Sequence, residues 1–373
     1  MKRVAILTLT DNNNYGNRLQ NYALQEAVKS LGFEAESIIN TSIDKKNRNI
    51  WYFIKLISIK KVFRKIQEVI RKKIIYKQSK YKSLNKVRKE NFFNFNKYIK
   101  NSLFVIENDT DFKKLENEYN YFIIGSDQIW NPYALSVKEI NLGLFFPKHK
   151  NISYAASFGV NSIPENLKQV YKKGIENIEH ISVREEQGAK IIKEITDKTA
   201  EVVVDPTILI DVDKWRKLQV VPKNVGKKYL LTYFLGKISK EKQKILNQVA
   251  EENDLTIINL GKIKEKDSYI AGPSEFLYYI DNAEAFFTDS FHGVVFSILF
   301  KTPFYVFERD GSGKSMNSRL ETLLFKFQLE DRKITKKKIS KDYKCNYDGC
   351  DEVLEQEKQK GIKFLKTALK IGE

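Results

Sequence analysis

The feature that most constrains this chain is a repeated alternation: a short apolar run, a polar loop bearing glycine or asparagine, then a segment of helical period. Val4-Ala5-Ile6-Leu7 leads into Asp11 to Asn17, a loop of residues that tolerate left-handed backbone. Leu19, Tyr22, Ala23, Ala27, Val28 and Leu31 then recur at helical spacing up to Gly32, a natural helix stop. The unit returns at Tyr121 to Ile124, which ends in Gly125-Ser126-Asp127-Gln128, and at Ile152 to Phe158, which ends in Gly159. His180 to Val183 enters Arg184-Glu185-Glu186 and a helix, and Val202 to Val204 stops at Asp205-Pro206. The second half repeats the style, with strands expected at 229–235, 255–260, 285–288 and 303–307 and helices at 240–252, 274–281 and 292–299.

Such alternation predicts an α/β fold with parallel sheets covered by helices. At 373 residues two domains are expected, each large enough to bury its own core. Each half is expected to carry six to seven strands, with ligands at the C-terminal strand ends and a cleft between the halves. The boundaries fall at 1–205 and 206–345, followed by a C-terminal helix within 346–373 that is expected to pack back on the first lobe.

The chain carries a formal charge of +18, which raises nucleic acid as a partner. The location of the charge argues otherwise. Residues 45–100 hold nineteen Lys and Arg against two acids, Glu68 and Glu90, so one segment carries +17 of the total. Within it Ile59, Val62, Phe63, Ile66, Val69, Ile70 and Ile74 fall three or four apart among lysines and arginines, the pattern of a basic amphipathic helix. Residues 51–76 are therefore expected to meet an anionic membrane surface or to pack on the first lobe with a solvated basic face. Nucleic acid is the least favoured partner, because no recognition motif accompanies the aromatics Phe92, Phe93, Phe95 and Tyr98. No run approaches the ~20 apolar residues of a spanning helix, and the apolar start is shorter than a signal-peptide core. The expectation is a cytoplasmic protein, peripheral at the inner membrane face. Cys345 and Cys350, without a second pair or a nearby His, are expected to be reduced thiols, and no metal is indicated.

Thr288-Asp289-Ser290-Phe291-His292-Gly293 sits where a strand ends and a helix begins. Ser290 is a natural N-cap, the next N–H groups suit an anion, and Gly293 would admit a ligand close to the backbone. His292, one of three histidines, suits proton transfer near neutral pH, or is simply a packed histidine beside a cap. Arg184 opens a helix directly after a strand, where a cation opposes the helix dipole. It suits bidentate grip of a carboxylate or phosphate, or an ion pair with Glu185, Glu186 or Asp205. Arg319 follows a Gly/Ser loop, 311–315, that reads as a flap over the cleft. Asn14-Tyr15-Gly16-Asn17 and Gly125-Ser126-Asp127-Gln128 bring amides and hydroxyls suited to sugar hydroxyls. No nucleotide-cradle signature is present.

Taken in order, Asn14-Tyr15-Gly16-Asn17-x-x-Gln20, Gly125-Ser126-Asp127-Gln128-x-Trp130-Asn131, Tyr154-Ala155-Ala156-Ser157-Phe158-Gly159, Ser182-Val183-Arg184-Glu185, Val204-Asp205-Pro206-Thr207 and Thr288 to Gly293 resemble the polysaccharide pyruvyl transferase family. The resemblance implies a glycosyltransferase-B-like pair of Rossmann-like lobes and transfer of a pyruvyl group from phosphoenolpyruvate to hydroxyls of a cell-surface polysaccharide or its lipid-linked precursor. On that reading His292, Arg184 and Arg319 are catalytic. Asp289, Ser290 and Gly293 line the donor, and Asn14, Tyr15, Asn17, Ser126, Asp127 and Gln128 line the acceptor. Phosphoenolpyruvate is a substrate and no cofactor is expected. In the family's characterised branch an arginine two residues before the histidine helps hold phosphoenolpyruvate; here that position is Ser290, so either Arg184 and Arg319 hold the anion or the donor differs. A sugar-nucleotide glycosyltransferase and a non-catalytic sugar-binding relative are the alternatives.

Overall fold

The computed structural model describes residues 1–11, 13–40, 79–104, 109–133, 139–226, 228–309, 318–334 and 343–372. The amphipathic segment 51–76 and the loop 311–315 lie outside them.

Two parallel sheets organise the chain. The first contains β1 (Arg3–Leu7), β2 (Glu34–Asn40), β3 (Asn101–Phe104), β4 (Tyr121–Asp127), β5 (Asn151–Ala156), β6 (His180–Val183) and β7 (Glu201–Val202) in the order β3-β2-β1-β4-β5-β6-β7. The second contains β8 (Tyr229–Tyr233), β9 (Thr256–Leu260), β10 (Ala285–Thr288), β11 (Phe304–Phe307) and β12 (Lys333–Ile334) in the order β12-β11-β10-β8-β9. All pairings are parallel. The central strands β4, β5 and β8 are buried along their whole length, which is why Tyr121 to Ile124 in β4 and Tyr229 to Leu231 in β8 read as apolar runs rather than as alternating ones. The second sheet has five strands among the described residues, not the six or seven expected. Its last member is a two-residue edge strand, too short to carry a sequence pattern.

The helices cover these sheets: α1 (Tyr15–Ser30), α2 (Ser79–Phe95), α3 (Asp109–Glu118), α4 (Glu165–Glu176), α5 (Glu186–Ile195), α6 (Val212–Lys217), α7 (Lys240–Glu252), α8 (Lys266–Tyr269), α9 (Pro273–Asp281), α10 (Phe291–Phe300), α11 (Ser318–Lys326) and α12 (Cys350–Ala368). None of the described helices is long and apolar enough to cross a membrane. The terminal helix α12 returns to the first lobe: Phe364 packs 6.1 Å from Tyr154 of β5, and a Cβ on Gly361 would lie 2.5 Å from the Tyr154 hydroxyl oxygen.

Strand order reverses direction between β1 and β4 in the first sheet and between β8 and β10 in the second. A crevice opens where crossovers diverge to opposite faces, at the C-terminal ends of those strands. The loops after β1 and β4 therefore form one crevice, those after β8 and β10 the other, and the two meet. Tyr15, at the start of α1, stacks on Phe276 of the second lobe at 4.3 Å and meets Tyr233 edge-on at 5.4 Å. Arg88 of α2 crosses the same seam. It is buried, donates to Tyr269 O at 2.6 Å and to the Tyr15 hydroxyl at 2.9 Å, and lies over the Tyr15, Phe92 and Tyr269 rings.

Candidate functional site

Asn14 caps α1, accepting from Asn17 N, and so fixes the loop that faces the second lobe. Gly16 in the first turn of α1 lies against the imidazole of His292; a Cβ there would sit 2.1 Å from Nδ1. This is the contact through which the two crevices join. The Gly16→Ala variant is expected to lose about 1–3 kcal/mol by overpacking and to lose turnover as the imidazole is displaced. Thermal denaturation and a rate assay on the same preparation check it, and parent-like turnover would mean that this contact does not orient His292.

Behind His292 lies a buried ionic cluster. Arg184, at the C-terminal end of β6, donates to Asp205 Oδ2 at 2.6 Å and to Asp127 Oδ1 at 3.0 Å. Asp205 caps the turn that follows it, accepting from Thr207 N at 3.1 Å, and its other oxygen receives Ser126 Oγ at 3.3 Å and faces His292 Nε2 at 3.5 Å. Asp127 follows Gly125-Ser126 with φ at 64°, a left-handed conformation that Asp tolerates better than most side chains. Its second oxygen accepts from Asn17 Nδ2 at 2.5 Å. Gln20 ties the same loop, accepting from Ser126 N at 3.2 Å.

Burial alone would raise both carboxyls, but the imidazole of His292 and Arg184 hold Asp205 well below the usual range, and Arg184, His292 and Arg319 hold Asp127 low. Burial would likewise weaken Arg184, yet Asp205 and Asp127 raise it above an ordinary guanidinium. Glu185 is pushed up by burial; it accepts from Ser157 Oγ at 3.0 Å and Phe158 N at 3.1 Å. Arg319 differs. It is buried, burial and the repulsion of Arg184 bring it down to about 10, and its ion pair with Asp127 is long, at 3.9 Å. The Gln128 amide, turned so that its oxygen faces the guanidinium, lies 2.8 Å from Nη1. Phe291 underlies both arginines, with centroid distances of 4.2 Å to Arg184 and 5.9 Å to Arg319.

The structure thus brings together His292, Arg184, Arg319, Asp127, Ser126, Asn17 and Gln128. It places four other residues differently from the sequence expectation. Tyr15 is buried, and its hydroxyl is taken by Ala271 O and Arg88, so it is a pillar between the lobes and not a surface for an acceptor. Ser290 caps α10, but its hydroxyl accepts from Gly293 N at 3.3 Å; that N–H is used inside the protein and not offered to an anion. Gly293 is glycine because a Cβ would meet the Phe286 ring at 2.9 Å, a packing reason and not ligand approach. Asp289 accepts from Leu235 N at 2.7 Å, Gly236 N at 3.0 Å and Arg309 Nε at 3.2 Å; as a carboxylate clamping the loop after β8 it does not attract an anionic donor.

Gly16 and Gln20 stand in the motif that carries the family resemblance but receive no individual role from sequence, and Arg309 receives none either. Arg309 follows β11 by two residues, donates to Asp289 beside Ser290, and contributes to the repulsion acting on Arg319. Its position just past a C-terminal strand end was a usable signal. Gly16 had none, because its neighbour is 276 residues away.

Among solved structures, the chain is similar to the S. aureus MnaA–UDP co-structure, with a TM-score of 0.47, 12% identity, and coverage of 100% of this chain and 98% of that one. It is also similar to Methanocaldococcus jannaschii UDP-GlcNAc 2-epimerase in complex with UDP-GlcNAc and UDP, with a TM-score of 0.44, 13% identity, and coverage of 95% and 99%. A comparison with curated proteins gives no match. The family model described as polysaccharide pyruvyl transferase matches residues 14–311, a span that opens at the cap of α1 and contains Gly16, Asp127, Arg184, Asp205 and His292. The chain belongs to the polysaccharide pyruvyl transferase family, a family of enzymes.

Proposed function

We propose that this enzyme transfers a pyruvyl group from phosphoenolpyruvate to two hydroxyls of a saccharide, forming a cyclic ketal and releasing phosphate. The observation that carries the reading is Arg319. Asp127 and Asp205 are committed to Arg184, and Glu185 is held by Ser157 and the Phe158 N–H, so Arg319 is a buried cation whose nearest carboxylate among the described residues stands 3.9 Å away. A buried charge without a close partner is costly, and an anionic donor would supply one beside His292. Phosphoenolpyruvate offers a carboxylate and a phosphate, both suited to a guanidinium.

In the proposed reaction a proton adds to the methylene carbon and cationic character develops at C2. One saccharide hydroxyl attacks C2 and gives up its proton, phosphate departs with the C–O bond electrons, and a second hydroxyl attacks C2 and loses its own proton, taken up by the released phosphate or by water, to close the ketal. His292 would move the proton, as acid toward the methylene or as base toward the hydroxyl, oriented by Asp205 at 3.5 Å and by Gly16. Arg319 would offset the charge that builds on the leaving phosphate. The acceptor is expected to enter from the loop that holds Asn14 and Asn17.

Calorimetric titration of phosphoenolpyruvate tests the donor. Arg319→Ala is expected to weaken binding about tenfold to a hundredfold, the loss of a hydrogen-bonded charge worth about 1.5–3 kcal/mol; unchanged binding would remove Arg319 from the donor site. One observation favours the sugar-nucleotide alternative: a cavity of about 420 Å³ at the ends of β8 and β9, lined in part by Thr232, Gly236, Lys237, Asn259 and Lys262. Titration with UDP-GlcNAc in place of phosphoenolpyruvate decides between them.

A further inference from the structure

A large cavity lies apart from the His292 cluster. It has a volume of about 1370 Å³ and opens between α2 and the second lobe, more room than the ~300–1,000 Å³ of an ordinary small-ligand site. We propose that this cleft binds an anionic oligosaccharide, as the distal part of the acceptor; the inference rests on the saccharide-transfer reading above.

Three observations support it. Lys82, Lys86 and Lys89 line the cavity at i, i+4 and i+7, one face of α2. Among the described lining residues the acid is Glu90, whose pair with Lys86 is long, at 3.8 Å, with both side chains exposed, so the described wall is positive overall. On the same face Phe93 also lines the cavity with 70% of its surface exposed, while its neighbour Phe92 is fully buried. Core packing accounts for Phe92 but not for Phe93. A flat ring beside a row of cations suits a sugar, whose C–H face stacks on the ring while its acidic groups reach the lysines. Finally, the cleft is held in place and connected to the site. Asn91 Nδ2 donates to Ile270 O at 2.8 Å and Arg88 to Tyr269 O at 2.6 Å, fixing α2 against the second lobe. Asn13 lines the cavity, three residues before the Gly16 that abuts His292. A chain lying along α2 would thus lead its end toward the imidazole.

A single-stranded nucleic acid carries the same charge, but its general binders present successive aromatic platforms, whereas of the two rings among the described residues lining this cavity, Phe93 and Tyr269, Tyr269 is buried and only Phe93 is exposed. The test is calorimetric titration of the full chain with hexagalacturonate, neutral maltohexaose and hexathymidylate at low salt. Hexagalacturonate is expected to bind about tenfold more tightly than maltohexaose, and to lose about that factor in the Lys82→Gln/Lys86→Gln/Lys89→Gln variant, as the removal of three partly exposed ion pairs implies. Phe93→Ser is expected to weaken both saccharides. The four side chains are exposed, and a melting curve confirms that the variants fold. Hexagalacturonate binding that survives the triple substitution would overturn the proposal, as would hexathymidylate binding equally well and falling by the same factor. Failure of the pyruvyl-transfer reading would show instead in the phosphoenolpyruvate titration, which uses none of these residues.

Discussion

Turnover in the His292→Gln variant is expected to fall by about two to four orders of magnitude, the range that a positioned proton-transfer group supplies, while the protein melts close to the parent and still binds acceptor. The prediction rests on position. His292 stands in the first turn of α10, at the switch point of the second sheet, and its ring is bracketed by two residues of the first lobe, Gly16 and Asp205. Nothing about packing alone requires an imidazole there: α10 is otherwise an apolar buried helix, and a leucine or methionine would fill the space. Glutamine keeps a polar group of similar reach and leaves Asp205 a hydrogen-bond donor, so lost rate would report proton transfer and not collapse of the cluster. Phosphate release from phosphoenolpyruvate with saved acceptor, followed beside a melting curve, gives both readouts. Parent-like release would take His292 out of the mechanism; a large fall in melting temperature would make its role structural.

The parts of this fold legible in the sequence are those fixed by local pattern. β4 and β8 are buried along their length, so Tyr121 to Ile124 and Tyr229 to Leu231 form apolar runs, and the loops at their C-terminal ends carry the glycines and amides that a crevice needs. β2 was not legible, because Glu34 and Glu36 interrupt it. Glu36 is tolerated only through partners that the fold brings from elsewhere, Arg3 at 2.5 Å, Ser102 at 2.5 Å and Tyr119 at 3.0 Å. The candidate site divides in the same way. His292, Arg184 and Arg319 stand out as single residues at element ends, and Asp205 is among the ion-pair partners the sequence offers Arg184, whereas the second pairing, with Asp127, joins β6 to the end of β4, a contact that no local window contains. Ser290 illustrates the opposite case. The cap is legible from its neighbours, but its hydroxyl's use of the Gly293 N–H, which withdraws that group from any ligand, follows only from geometry.

Asp205→Asn is expected to lower stability by about 3 kcal/mol, toward the lower end of what removing one member of a buried ion pair costs, since Asp127 remains as a second partner for Arg184. Asparagine keeps the shape and, with its single oxygen toward Thr207 N, keeps the cap of the turn, while its amide nitrogen faces Ser126 Oγ, a hydroxyl that can turn to accept, so the loss is chiefly that of the charge facing Arg184. The acid dependence separates this account from simple damage to a turn. The folded-state acidity of Asp205 is stronger than in the unfolded chain: burial opposes ionisation, but His292 and Arg184 more than offset it. Its contribution to stability is therefore complete above the ordinary carboxylate range near pH ~4 and is lost as the pH falls below that range toward the folded value. Denaturant midpoints measured from neutral pH downward should show a steeper acid loss in the parent than in Asp205→Asn, with the two curves converging in acid. Parallel curves would mean that the Asp205 charge contributes no net stability. The same substitution removes the carboxylate facing His292 Nε2, so turnover is expected to fall with stability, and a double-mutant cycle with His292→Gln should be strongly non-additive, because each residue acts on rate through the other.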